Sequence, residues 1–225
     1  MTKILTALCL SMLLAVPAVA GTVTAVTVDG LTCAAPVLDA IAQEAGLTTT
    51  LISTSREKAL AALCSGQADM ALLPPDVSVG KEIRNLGPVF TAEYGVIGRA
   101  GNYFRSLREL GGKTVAVVRG EEKDERISKR KGIIPRPLSG YEQCLKLLLA
   151  GNVDAVAGDI CGMAHAVKKM RIPRQALGTP FILSSTPVCL FVSDRLGENI
   201  RPIVEALDLL KEKETLKETL VQYSL

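Results

Sequence analysis

Asp29 and Asp159 are the carboxylates whose positions point most directly to ligand chemistry. Each stands where a β-prone run has just ended, 22–28 before Asp29-Gly30 and 153–157 with Gly158 before Asp159. Ligands of open α/β sheets bind beyond the carboxyl ends of strands, and clefts between domains are favoured sites. Both residues are therefore candidates to touch a ligand. Asp29-Gly30 is also an ordinary turn signal, and Asp159 ahead of Ile160 is also a suitable helix N-cap. A third acidic position follows the run 113–118 as Gly120-Glu121-Glu122-Lys123. Two carboxylates there would repel a ligand carboxylate, or would merely complement the N-terminus of a charged helix.

Other chemistry finds no footing. Gly112-Lys113-Thr114 looks like the end of a phosphate loop, but that pattern needs a glycine where Leu107 stands. It also precedes a strand instead of following one. Neither a G-x-S-x-G nor an H-E-x-x-H motif occurs. The single histidine, His165, lies on an expected helix after Asp159, where packing or solvent exposure is the ordinary role. Cys33, Cys64, Cys144, Cys161 and Cys189 include no C-x-x-C pair, and one histidine completes no Cys/His zinc cluster by local spacing. The expectation is no metal, no cofactor and no catalytic centre, with most cysteines acting as small buried apolar residues.

The first twenty residues bear on compartment. Lys3 supplies a positive start, 4–16 is apolar apart from Thr6 and Ser11, and Pro17 precedes the small-residue pattern Ala18-Val19-Ala20. That order reads as a cleaved secretory signal peptide and places the mature chain, from Gly21, in the periplasm. Cleavage also removes Cys9, leaving five cysteines, an odd number whose pairing the sequence leaves open. With Lys3 gone, 25 basic residues face 23 acidic ones, a formal charge of +2. This balance, with 4% aromatic residues and no tryptophan, gives no reason to expect nucleic acid.

The elements that must position these residues alternate along the chain. Strand-like 22–28, 47–53 and 68–73 are separated by helix-like 36–45 and 56–64, with Gly46 and Gly66 at the helix ends. The second half repeats the plan with strands at 113–118 and 153–157 and helices at 121–131 and 141–150. Apolar residues at 200, 203, 204 and 207 predict a final helix over 200–220 that packs along one face. Such alternation argues for parallel βα units. The stretch from Ala62 through Gly66 to Asp69 and Ala71 matches the stretch from Leu147 through Gly151 to Asp154 and Val156. In both, an apolar helix end meets a glycine suited to the left-handed conformation, and an aspartate opens a buried strand. Two lobes built alike are expected, joined where the β-prone runs 94–97 and 188–193 cross. Lobe 1 is then 21–96 plus 188–225, and lobe 2 is 97–187.

Three stretches carry a resemblance to a known family: 106–117, 150–159, and the arginine, apolar strand and Phe90-Thr91-Ala92-Glu93-Tyr94 of 84–94. They resemble the type II periplasmic binding proteins, in particular the polar-amino-acid-binding family (bacterial extracellular solute-binding protein family 3) of ABC importers. The resemblance implies an α/β fold of two similar lobes on hinge strands, and a monomer that clamps a small polar ligand for an inner-membrane permease. It implies that Arg84 holds the ligand carboxylate through its bidentate fork, that Asp159 receives the ligand ammonium, and that Asp29 assists from lobe 1. The chain departs from the pattern in a short 29–33 segment without a stacking aromatic, and at Gly120, Glu121 and Glu122 where a small polar turn is usual. The fold also hosts enzymes resembling cyclohexadienyl dehydratase, for which Glu121 or Glu122 would serve as the acid, and sensory proteins with no transport role. Mature protein from a periplasmic extract is expected to begin at Gly21 on N-terminal sequencing; intact Met1 on cytoplasmic protein would reverse the localisation.

Overall fold

A computed structural model of the chain describes residues 21–119, 125, 127, 132–213 and 216. The segment 1–20, read above as a signal peptide, and the site candidates Gly120, Glu121 and Glu122 lie outside the described residues. So does the helix expected over 121–131, apart from exposed Glu125 and buried Ile127.

Lobe 1 opens with two βα units. Strand β1 (Thr22–Val28) alternates Val and Thr and leads into helix α1 (Ala34–Glu44), whose Val37, Leu38 and Ile41 are fully buried. Strand β2 (Thr48–Thr54) pairs in parallel with β1, and α2 (Arg56–Ser65) follows, N-capped by the Ser55 hydroxyl, which accepts from Lys58 N–H. Strand β3 (Met70–Leu73), parallel to β1 and antiparallel to β8, is wholly buried, as a central strand covered on both faces must be. Lobe 2 repeats the unit with β5 (Thr114–Val118), β6 (Ile134–Leu138), α3 (Tyr141–Leu149), β7 (Ala155–Asp159) and α4 (Ile160–Lys169). Helix α5 (Ile200–Glu212) returns to lobe 1 and packs on α1, burying Ile200, Ile203 and Leu207.

Two long strands cross between the lobes, β4 (Ile83–Gly98) and β8 (Phe181–Ser193). They pair antiparallel along almost their whole length, so all the strands join one sheet in the order β2-β1-β3-β8-β4-β7-β5-β6. Both runs expected as hinges, 94–97 and 188–193, are parts of these longer strands. Apolar clusters flank each half of the sheet. One joins α1, α5 and one face of β1, β3 and β8, and its counterpart in lobe 2 joins α3, α4, β5 and β7.

The internal repeat is one device built twice. Gly66 and Gly151 take positive φ angles of 74° and 77°, the conformation that ends a helix at little cost only for glycine. The aspartate three residues later then clamps the neighbouring strand. Asp69 accepts Thr24 N–H at 2.8 Å and returns its own N–H to the Thr24 carbonyl; Asp154 does the same with Thr114, also at 2.8 Å. A guanidinium covers each glycine. A Cβ on Gly66 would sit 1.6 Å from Arg195 Nη1, and one on Gly151 would sit 3.2 Å from Arg99 Nη1.

Strand β6 escapes a propensity reading because it contains Pro135 and Pro137. Ile134 N–H bonds the Lys113 carbonyl of the β5 side, so even-numbered amides point inward and the two prolines fall where no donor is needed. Prolines are tolerated on such an edge. Because a charged acceptor on a backbone N–H contributes about 1.5–3 kcal/mol, Asp69→Ala and Asp154→Ala should each lose stability of that order. Urea unfolding of each variant, followed by circular dichroism, checks this, and the two losses should be similar.

Candidate ligand-binding site

The hinge strands form the floor of a cleft between the lobes. In register, Ser184 of β8, Tyr94 of β4 and Asp159 of β7 lie side by side across three strands. A register shift follows Tyr94, and bulges of this kind re-aim side chains beside functional sites. Ala92, Thr186 and Val188 continue the floor toward lobe 1. The walls come from strand ends: Val28 to Leu31 after β1, Arg56 after β2, and Pro74 to Asp76 after β3. The enclosed space is about 650 Å³, within the usual range for small-molecule sites.

Asp29 stands at the rim. Its N–H donates to the Thr54 carbonyl at 2.9 Å, and its carboxylate accepts the Ser53 hydroxyl at 2.7 Å. Arg56, the first residue of α2, donates to Asp76 at 2.8 Å and keeps further donors toward the cleft. That guanidinium holds the Asp76 carboxyl below the usual carboxylate range. Among the described residues, four acidic side chains, Asp29, Asp76, Glu93 and Asp159, line the cleft with one arginine.

Asp159 is the buried member, at 8% exposure. Its backbone N–H donates to the Tyr141 hydroxyl at 2.8 Å, and its carboxylate caps α4 by accepting Gly162 N–H at 2.7 Å. Burial pushes this carboxyl up to about 6, against the pull of hydrogen bonds from Gly162, from the side chain and backbone of Thr32, and from the Cys161 backbone. Thr32 belongs to lobe 1, so Asp159 is both a cap within lobe 2 and a bond between lobes. The two surfaces meet closely there: a Cβ on Gly162 would lie 2.8 Å from Thr32 Oγ1 and 2.5 Å from the Tyr141 ring. Beside this contact Cys33 and Cys161 form a disulfide, with Cα atoms 6.0 Å apart. Beyond it a second groove, of about 660 Å³, is bordered by Thr32, Tyr141, Gly162 and exposed His165.

The geometry brings Asp29 and Asp159 together and leaves Arg84 elsewhere. Arg84 lies near the start of β4, ten residues before Tyr94, which is about 30 Å at 3.3 Å per residue. It pairs with Val192, and its Nε donates to Asp194 on the surface of lobe 1. The arginine that reaches the cleft is Arg56, and it follows the end of β2 as Asp29 follows the end of β1. Applying the strand-end rule to β2 as well would have found it. No aromatic stands in 29–33, and Tyr94 lines the cleft from its floor. The cysteines also correct an expectation. Cys144 and Cys189 are buried, Cys64 is exposed, and Cys33 and Cys161 are bonded to each other. Their signal was position: each follows a strand-end aspartate within a few residues. Among the described residues no group of three or more His, Cys, Asp or Glu side chains is arranged to hold a metal ion. Among the same residues no helix is long and apolar enough to cross a membrane.

No protein-family profile and no curated sequence matches this chain. Solved structures do match it. An ancestral arginine-binding protein bound to arginine shares 21% identity over 90% of this chain and 98% of its own, with a TM-score of 0.61. The GluR0 ligand-binding core in complex with L-glutamate shares 18% over 92% and 98%, with a TM-score of 0.63. A histidine kinase sensor domain with similarity to periplasmic binding proteins shares 17% over 91% and 96%, with a TM-score of 0.59. The likeness establishes the fold: two α/β lobes on paired hinge strands, as in the type II periplasmic binding proteins.

The raised pKa of Asp159 sets a pH dependence. An unfolded aspartate titrates near 3.8 and this one at about 6, so the folded state binds the proton more tightly. The contribution to stability is full below about pH 4, declines as pH rises through 6, and is absent above it. Asp159→Asn keeps the cap acceptor without the charge. Relative to wild type it should gain thermal stability progressively between pH 4 and 6, reaching about 3 kcal/mol at neutral pH by the 1.36 kcal/mol per unit rule. Paired melting curves across that range check it; a difference that stays constant with pH would refute it.

Proposed function

We propose that this protein is a periplasmic solute-binding protein that closes its two lobes on an amino acid or related zwitterion and delivers it to an inner-membrane ABC permease. The observation that carries this reading is the charge arrangement. Arg56 of lobe 1 and Asp159 of lobe 2 face one cleft, so a ligand bearing both a carboxylate and an amine can bond both lobes at once. Only contacts that the open form lacks favour closure. Tyr94 offers an apolar face between them. The excess of carboxylates over Arg56 selects an amino acid with an additional positive charge, and Asp159 becomes a stabilised anion once an ammonium stands beside it. The protein acts as a monomer in this reading.

The sensory role and the dehydratase activity remain as alternatives of the same fold. Asp159 has the burial and acidity that a general acid needs. Its carboxylate is already committed to the α4 cap and to Thr32, which suits a fixed charge better than a proton donor. Incubation with prephenate tests the enzyme directly.

Calorimetric titration of mature protein with L-arginine, L-lysine, L-glutamine and L-glutamate tests the binding reading. The cationic pair should bind most tightly and glutamate least. Each charge-assisted contact is worth about 1.5–3 kcal/mol, so Arg56→Ala and Asp159→Asn should each weaken L-arginine binding by roughly tenfold to a hundredfold. Arg84→Ala should leave it unchanged. Preferential binding of glutamate, or loss of binding on Arg84→Ala, would overturn the assignment.

A further inference from the structure

The Cys33–Cys161 disulfide joins two parts of the chain 128 residues apart, one in each lobe, beside the contact of Thr32 with Asp159 and Gly162 at the edge of the cleft. Cys33 precedes the first residue of α1 in lobe 1, and Cys161 is the second residue of α4 in lobe 2. The lobes are otherwise connected through β4 and β8, which form the cleft floor. Hinge opening about two strands requires the opposite rim to separate. A disulfide spans Cα atoms only up to about 7 Å, and these are already 6.0 Å apart. While the bond exists, the rim therefore cannot part by more than about 1 Å. A ligand filling the cleft cannot then pass between the rims by lobe rotation.

The position of the bond also favours its exchange. Both cysteines sit at the N-termini of helices, of 11 and 10 residues, where the helix dipole favours a thiolate, most clearly at Cys33, since the first N–H groups of α4 are already taken by Asp159. Stabilised thiolates make the reduced pair more accessible than in an inert structural bridge. Cys33 is 3% exposed, whereas Cys161 is only partly buried and is the more accessible residue of the pair.

We propose that the Cys33–Cys161 disulfide is a thiol-exchange site that latches the two lobes, so that a dithiol reductant opens the cleft and oxidation locks it. An incoming thiolate attacks Cys161 Sγ, forms a mixed disulfide and expels Cys33 as a thiolate. The second thiol of the donor, deprotonated, then attacks the mixed disulfide and releases the Cys161 thiolate. The donor leaves as a disulfide, and two electrons have passed to the protein. The proposal rests on the reading of this cleft as the ligand site.

The test uses mature protein purified without reductant. Non-reducing peptide mass mapping should find residues 33 and 161 linked, with thiols at Cys64, Cys144 and Cys189. Small-angle scattering is then compared for the oxidised protein, the same protein after dithiothreitol, and the Cys33→Ser/Cys161→Ser variant. The last two should share a larger radius of gyration than the first, and Cys64→Ser should scatter as oxidised wild type. L-arginine should associate faster with the unlatched forms, on the order of tenfold or more, because the latched rims obstruct its entry to the cleft. Thiols at both 33 and 161 would overturn the proposal. So would a linked protein whose scattering is unchanged by dithiothreitol. Should no form bind any amino acid, the ligand assignment fails while scattering alone still decides the latch, and chemical reduction keeps the test valid if the double variant does not fold.

Discussion

The antiparallel ladder between β4 and β8 is the interaction on which the rest of this molecule depends. Among the described residues it is where the two halves of the sheet become one, with β3 paired to the outer side of β8 and β7 to the outer side of β4. The same ladder is hinge, floor and ruler. Its pairing sets Ser184, Tyr94 and Asp159 in one row, and its register shift at Tyr94 turns that row toward the cleft. A connection that both bends and binds couples lobe motion to ligand contact without any separate relay.

Above that floor, the closed arrangement contains a conflict. Asp159 is held by hydrogen bonds from its own helix and from Thr32 across the lobe boundary, yet burial works against its charge. The carboxylate therefore favours closure through its hydrogen bonds and opposes it through desolvation. A cation in the cleft removes the opposition and keeps the bonds. In the proposed reading this balance matters, since a cleft that closed equally well on nothing would gain little from its ligand.

Much of this was legible from local patterns. The βα alternation, the two lobes, the duplicated helix–Gly–strand–Asp unit and the cleft positions of Asp29 and Asp159 all follow from periodicity and strand ends. These depend on short-range rules of turn, cap and pleat. What failed depended on long-range register. Arg84 stands six residues before Phe90, as the family pattern asks, but β4 starts so early that the side chain emerges on the surface beside Asp194. The pairing of Cys33 with Cys161 needs both lobes placed before it can be seen, because no spacing links residues 128 apart. Strand β6 was hidden by prolines that propensity counts against a strand and an outer edge accepts.

Those prolines matter beyond the fold. A sheet of eight strands ends in two borders, β2 and β6. Along β6 the outward amides at 135 and 137 are absent, so that border presents carbonyls with few donors and is a poor template for another chain's backbone. The β2 border has no such guard: Thr48–Thr54 contains no proline and carries exposed Leu51 and Ile52. Any tendency of crowded or partly unfolded copies to aggregate by strand addition is thereby steered to one side of the molecule, where a single lysine or proline would suffice to suppress it.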